Sequence, residues 1–80
     1  MHARKLRIGI VGAGSWARRH LEVWSKTDGA QVVAICSRTR SKAEDLAKEF
    51  EILDVYSKVD ELINRDDVDI VSIAMPPSLH

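Results

Sequence analysis

Three small residues at fixed spacing carry the clearest chemical signal in this sequence. Gly12, Gly14 and Ala17 form a Gly-x-Gly-x-x-Ala run directly after the apolar residues Leu6, Ile8, Ile10 and Val11. With Ala in third place this is the dinucleotide-binding fingerprint. Gly12 permits a tight turn out of a strand, and Gly14, without a Cβ, lets a pyrophosphate approach the backbone. Ala17 lets the following helix pack close to that strand. The free N–H groups at the helix start, with the positive end of the helix dipole behind them, then face the phosphates. The turn Gly12-Ala13-Gly14 and the first helical residues Ser15 and Trp16 are therefore the candidate phosphate cradle. A strand-to-helix turn that merely needs small residues is the alternative reading.

A second group follows the next apolar run. Cys36-Ser37-Arg38-Thr39-Arg40 occupies the place, some 20 residues beyond the glycines, where a carboxylate would accept from both ribose hydroxyls and favour NAD. No acid appears until Glu44. Ser37 can donate to a phosphate oxygen, and Arg38 can pair with it and lie across an adenine face. NADP is the expected cofactor and NAD the lesser alternative. One charge-assisted contact of ~1.5–3 kcal/mol corresponds to a preference on the order of 10- to 100-fold. The competing reading is a solvated basic turn.

These groups need elements to hold them. Leu6–Val11 reads as a central parallel strand, apolar on both faces. A helix over about Ser15–Lys26 places Ala17, His20, Leu21 and Trp24 on one face and stops at Gly29. Gln31–Ser37, containing Val32 to Cys36, predicts the second strand. Ser41-Lys42-Ala43-Glu44 has the form of a capping box at the start of a second helix, with Leu46, Ala47 and Phe50 on its apolar side. Asp54–Tyr56 predicts a third strand, and Ser57 can cap a short helix over Val59–Asn64 that buries Leu62 and Ile63. Asp69–Ala74 predicts the fourth strand, ended by Met75-Pro76-Pro77 because neither proline can extend a ladder.

Strand–helix alternation with crossovers of this length predicts an α/β fold. The expected form is a Rossmann-like parallel sheet of four strands in the order 3-2-1-4, part of a doubly wound domain. Two crossover helices would cover one face and the short helix the other. The ligand crevice falls where the order reverses, at the carboxyl ends of strands 1 and 4. Both the Gly12 turn and the Met75-Pro76-Pro77 turn lie there.

The chain has 80 residues, 45% of them apolar and 30% charged, with formal net charge zero. That balance describes an ordinary soluble domain and argues against a nucleic-acid or membrane-surface partner. The lone Cys36 cannot form an internal disulfide, and no apolar run approaches the roughly 20 residues of a membrane span. A cytoplasmic setting is expected. No His or second Cys stands at metal-ligand spacing from Cys36, so no metal site is predicted. His20 reads as a packing or hydrogen-bonding residue, and Trp24 as core or edge packing. Trp16 reads likewise, or as shelter for a pyrophosphate. Asp60, Glu61, Asp66, Asp67 and Asp69 read as solvated acids.

With these residues in view, the chain resembles the N-terminal region of the Gfo/Idh/MocA family of glucose-fructose oxidoreductase and inositol dehydrogenase-like enzymes. The resemblance covers essentially the whole chain. It rests on Arg7 to Ala17 with His20, on Val33 to Arg38, on Val55-Tyr56 with the Leu62 helix, and on Asp69 to His80. The last stretch matches the family's turn near the nicotinamide half of the cofactor. It adds Ala74, Pro76, Pro77 and His80 to the candidate cofactor contacts. Met75 replaces the family's usual threonine, and Ser37 replaces the Asp of many NAD-using members.

The resemblance implies hydride transfer between NADP(H) and a sugar or polyol. The family's Glu-Lys-Pro motif, its lysine and histidine near the reacting carbon, and its substrate domain have no match within these residues. No catalytic residue is assigned here, and the chain is expected to be a piece of a longer protein. Taken alone it is expected to self-associate through strand 4 (Ile70, Val71, Ile73) or to be marginally stable. A non-catalytic nucleotide-binding or self-assembling module is the alternative function. A methyltransferase is disfavoured, because its cofactor has no pyrophosphate.

Overall fold

A computed structural model describes residues 5–12 and 14–74. The elements run β1 (Leu6–Val11), α1 (Gly14–Ser25), β2 (Ala30–Cys36), α2 (Arg40–Glu49), β3 (Asp54–Tyr56), α3 (Val59–Ile63) and β4 (Ile70–Ile73). The strands form one sheet in the order β3-β2-β1-β4, every neighbouring pair parallel. The expected topology is present, and the predicted strand and helix ends lie within one residue of those observed, apart from the start of α2.

Alternation along β1 sorts the core into two layers. Ile8 and Ile10 are fully buried under α1, together with Ala17, Leu21, Ile35 and the α2 residues Ala43, Leu46 and Ala47. The opposite face is thinner: Ala34, Cys36 and Leu62 form its centre, with Val11, Val33 and Tyr56 packed around them. Gly9 makes this second layer possible. A Cβ there would stand 2.7 Å from Leu62 Cδ2, so the missing side chain is the space that Leu62 fills. The β1–β2 register slips between Ile8 and Gly9, opposite Val32 and Ala34, so Val33 is an extra residue. This bulge returns Ile35 to the α1 face beside Ile10.

Local signals failed in three places. The Ser41–Glu44 capping box does not form. Thr39 occupies the N-cap without a side-chain cap bond, α2 starts at Arg40, and Glu44 Oε2 accepts from Arg40 Nε at 3.1 Å. The turn is set earlier, because the Thr39 N–H donates to Ser37 Oγ at 3.0 Å. Ser57 likewise does not cap α3, whose N-cap is Lys58. Ile63 is 57% exposed rather than buried, because a helix of one turn points only Leu62 at the sheet.

Two of the acids read as solvated hold the fold together. Asp67 accepts from Arg65 Nε at 2.7 Å and Nη2 at 2.5 Å, while Arg65 Nη1 donates to Asp54 Oδ2 at 2.7 Å. Arg65 Nη1 also reaches the carbonyl of Val33 in the bulge, at 3.4 Å. Asp69 Oδ2 accepts the backbone N–H of Arg7 at 2.8 Å, tying the start of β4 to β1. The periodic pattern could not reveal the long-range pairings, because Arg65–Asp54, Arg65–Val33 and Asp69–Arg7 each join separate parts of the chain. Asp67 pairs locally, two residues from an Arg65 that those contacts hold in place.

Candidate functional site

The carboxyl ends of all four strands open onto one cleft of about 650 Å³. Gly12 and Ala74 form its floor at the junction of β1 and β4. The Ala74 N–H donates to the Val11 carbonyl and the Gly12 N–H to the Cys36 carbonyl, both at 2.8 Å. Gly12 has φ +131°, and a Cβ on it would lie 2.3 Å from the Ala74 carbonyl oxygen. Its task is thus close approach of two strand ends as well as a turn. Gly14 differs: at φ +77° its missing Cβ faces open space. That is the geometry for a ligand to approach the backbone at the start of α1, beside the exposed Ser15. The first turn of α1 contains no acid to repel an anion.

Ser37, Arg38, Thr39 and Lys42 form the wall at the end of β2. Ser37 is buried, its N–H donates to the Tyr56 carbonyl at 3.1 Å, and its hydroxyl oxygen accepts from Thr39. The hydroxyl proton remains available to a ligand. Arg38 is exposed on the rim. Arg40, the second arginine of the turn, is occupied by Glu44 and lies 3.5 Å from Ser57 Oγ. Lys42 takes the place beside Arg38 instead. Among the described residues, the lining carries these two cations and no carboxylate.

Lys42, Thr39, Ser57 and Val59 were missed by the sequence reading. With α2 starting at Arg40, Lys42 falls in its first turn, on the side that lines the cleft with Arg38. Burial, with Glu61 adding to it, pushes the Cys36 thiol up from its usual value, so it stays protonated and is a poor nucleophile or ligand. No group of three or more metal-binding side chains occurs among the described residues. Nor is any of their helices long and apolar enough to cross a membrane.

Of the candidate contacts, the structure brings Gly12, Ser37, Arg38 and Ala74 together in the cleft, with Gly14 and Ser15 at the α1 start. Trp16 instead lines a separate groove with His20, Trp24 and Ser72, where the Arg19 guanidinium stands 5.8 Å from its ring centroid. Ala13, Met75, Pro76, Pro77 and His80 lie outside the described residues.

A strand order that reverses between β1 and β4, with a glycine turn into α1 at the reversal, is the Rossmann arrangement of nucleotide-binding domains. Comparison with known proteins narrows the class. The chain belongs to the Gfo/Idh/MocA oxidoreductase family, NAD-binding Rossmann fold, whose model matches residues 6–80.

Inositol 2-dehydrogenase of Corynebacterium glutamicum is 30% identical over 79 residues, which are 98% of this chain and 23% of that protein. A solved mutant of a 3-ketoreductase from Actinomadura kijaniata, in complex with TDP-benzene and NADP, superposes with TM-score 0.81 at 31% identity. The match covers 96% of this chain and 24% of that one. Myo-inositol dehydrogenase of Lactobacillus casei, in complex with NAD(H) and myo-inositol, gives TM-score 0.82 at 27% identity over 86% of this chain and 21% of that one. The chain spans about a quarter of the length of the curated relatives it matches. Both nicotinamide cofactors occur among these relatives.

Proposed function

We propose that this chain is the NADP(H)-binding portion of an oxidoreductase acting between the nicotinamide cofactor and a sugar or polyol. The observation that carries the choice of NADP is the wall at the end of β2, where Ser37, Arg38 and Lys42 meet without a carboxylate. The Ser37 hydroxyl donates to the 2′-phosphate and Lys42 adds a point charge. The Arg38 guanidinium pairs with the same phosphate and lies across the adenine. Gly14 and Ser15, with Ala13 of the same sequence fingerprint as a further expected contact, receive the pyrophosphate at the positive end of α1, while Trp16 belongs to the separate groove. Ala74, at the end of β4, borders the nicotinamide half, and the family resemblance of the sequence carries Pro76, Pro77 and His80 as further proposed contacts to it. When bound, the nicotinamide supplies or accepts the hydride; the residues of this chain bind and orient it.

A sugar or polyol substrate follows from the names of the relatives. The test is calorimetric titration with NADPH and, separately, NADH. The expected result is NADPH binding about 10- to 100-fold tighter, with the preference lost in Arg38→Ala and reduced in Lys42→Ala. Equal affinity for both cofactors overturns the NADP assignment. No binding of either to the folded chain overturns cofactor binding by these residues alone.

Self-association of the 80-residue chain is a second part of the reading, supported by the place of β4 at the end of the sheet. Ile73 there is 62% exposed, and Val71 is also exposed. Light scattering should show a mass above the monomer that falls in Ile73→Lys. A monomer at all concentrations overturns it.

A further inference from the structure

We propose that His20 is a positioning residue, which sets the phosphate-binding helix against β4 through its hydrogen bond to Ser72. The inference rests on the cofactor reading above. His20 Nδ1 and Ser72 Oγ are 2.8 Å apart. With the ring proton on Nε2, the Ser72 hydroxyl donates to Nδ1. The sequence suggested a packing or hydrogen-bonding role for this histidine; its partner is a strand residue on the far side of β1.

Ser72 pairs with Ile10 in the sheet and so shares the face covered by α1. The other anchors of α1, Ala17 and Leu21, pack into the core with Ile8, Ile10 and Ile35 of β1 and β2. The His20 bond adds a hold on β4, the opposite neighbour of β1. Trp16 and Trp24 stand one turn before and one turn after His20 and line the same groove of about 410 Å³, restricting the ring along the helix.

Both ends of the bond lead to the cleft. Gly14 begins α1 about 9 Å along the helix axis from His20. Ala74, two residues beyond Ser72, holds its carbonyl against Gly12. One dinucleotide must touch both places, the pyrophosphate at Gly14 and the nicotinamide half beside Ala74. A slide or tilt of α1 relative to β4 changes the spacing between them. The end of β2 is not part of that linkage, so contacts to the adenosine 2′-phosphate keep their geometry. Loss of the bond should therefore weaken the whole cofactor selectively.

The test compares NADPH, by calorimetry, with adenosine 2′-phosphate, by NMR titration, on the full 80-residue chain. His20→Phe and Ser72→Ala should each weaken NADPH about three- to tenfold and leave adenosine 2′-phosphate unchanged. The double variant should be no worse than either single one. His20→Asn, whose amide reaches the Nδ1 position, should return NADPH affinity to within about twofold of the parent chain. Equal losses for the two ligands, additive effects, no loss in Ser72→Ala or no rescue by Asn each overturn the proposal. Should His20→Phe fail to fold, Ser72→Ala and His20→Asn decide the matter. A parent chain that binds neither ligand overturns the cofactor reading, and this inference with it. Binding by the parent without selectivity in the variants overturns this inference alone.

Discussion

A Cβ on Gly12 would stand 2.3 Å from the carbonyl oxygen of Ala74, so these two residues join β1 to β4 at the floor of the cleft. Gly14, two positions on, has no atom of the described residues outside its own turn of chain within 4 Å of where its Cβ would be. The two glycines should therefore respond differently. Gly12→Ala combines a backbone clash with strain at positive φ and should cost about 2–4 kcal/mol. Gly14→Ala meets strain alone and should cost about 1–2 kcal/mol. Urea melts of the two variants check the order, and equal losses would refute it.

Gly9 and Leu62 form a complementary pair across the thin layer of the core. Leu62→Ala should cost about 2–4 kcal/mol through the cavity it leaves. Gly9→Ala should cost about 1–3 kcal/mol by crowding Leu62. Combined, the new methyl enters the vacated space, and the double variant should be more stable than the sum of the two losses predicts. Thermal melts of all four proteins give the coupling; strict additivity would contradict this packing.

Glu51 follows the α2 C-cap with φ 59°, and the Ile52 N–H donates to the Ala47 carbonyl at 2.8 Å. This is a Schellman turn with a non-glycine residue in its left-handed position, and Ile52 packs back into the core. Glu51→Gly should stabilise the chain by about 1 kcal/mol, seen as a higher melting temperature. An unchanged or lower value would show that the turn carries no strain.

Arg65 holds the Asp67 carboxyl below its ordinary range, chiefly through their hydrogen bonds. Arg18 does the same to Glu49, again chiefly by a hydrogen bond. In each case the folded-state pKa lies below the unfolded one. The resulting stability is complete above the ordinary carboxylate range and is lost as pH falls through the lowered values. Asp67→Asn should therefore flatten the fall in stability below about pH 4. Denaturant melts from pH 3 to 7 measure it; an unaltered slope would remove Asp67 from acid unfolding.

The four strands were legible because a buried parallel strand must be a short apolar run, and Leu6–Val11 and Val32–Cys36 both are. The glycine turn and the missing acid at Ser37 were legible for a similar reason, since each follows from the steric or charge needs of one local position. The start of α2 was not. Ser41 and Glu44 match a capping box in isolation, but Ser37 had already taken the Thr39 N–H and Arg40 had taken Glu44. Asp69 looked solvated because its partner, the backbone of Arg7, lies in another strand, and Asp67 because the Arg65 two residues before it is fixed by Asp54 and the Val33 carbonyl, which only folding brings near.

By itself the sequence determined the element order, the parallel topology and the place of the phosphate turn. All three depend on periodicity and on backbone sterics within a few residues. Only the tertiary structure decided that Lys42 rather than Arg40 stands beside Arg38, that Gly12 is pressed against Ala74, and that His20 reaches Ser72. Each of those is a competition among partners brought together by folding, and no local pattern records which partner wins.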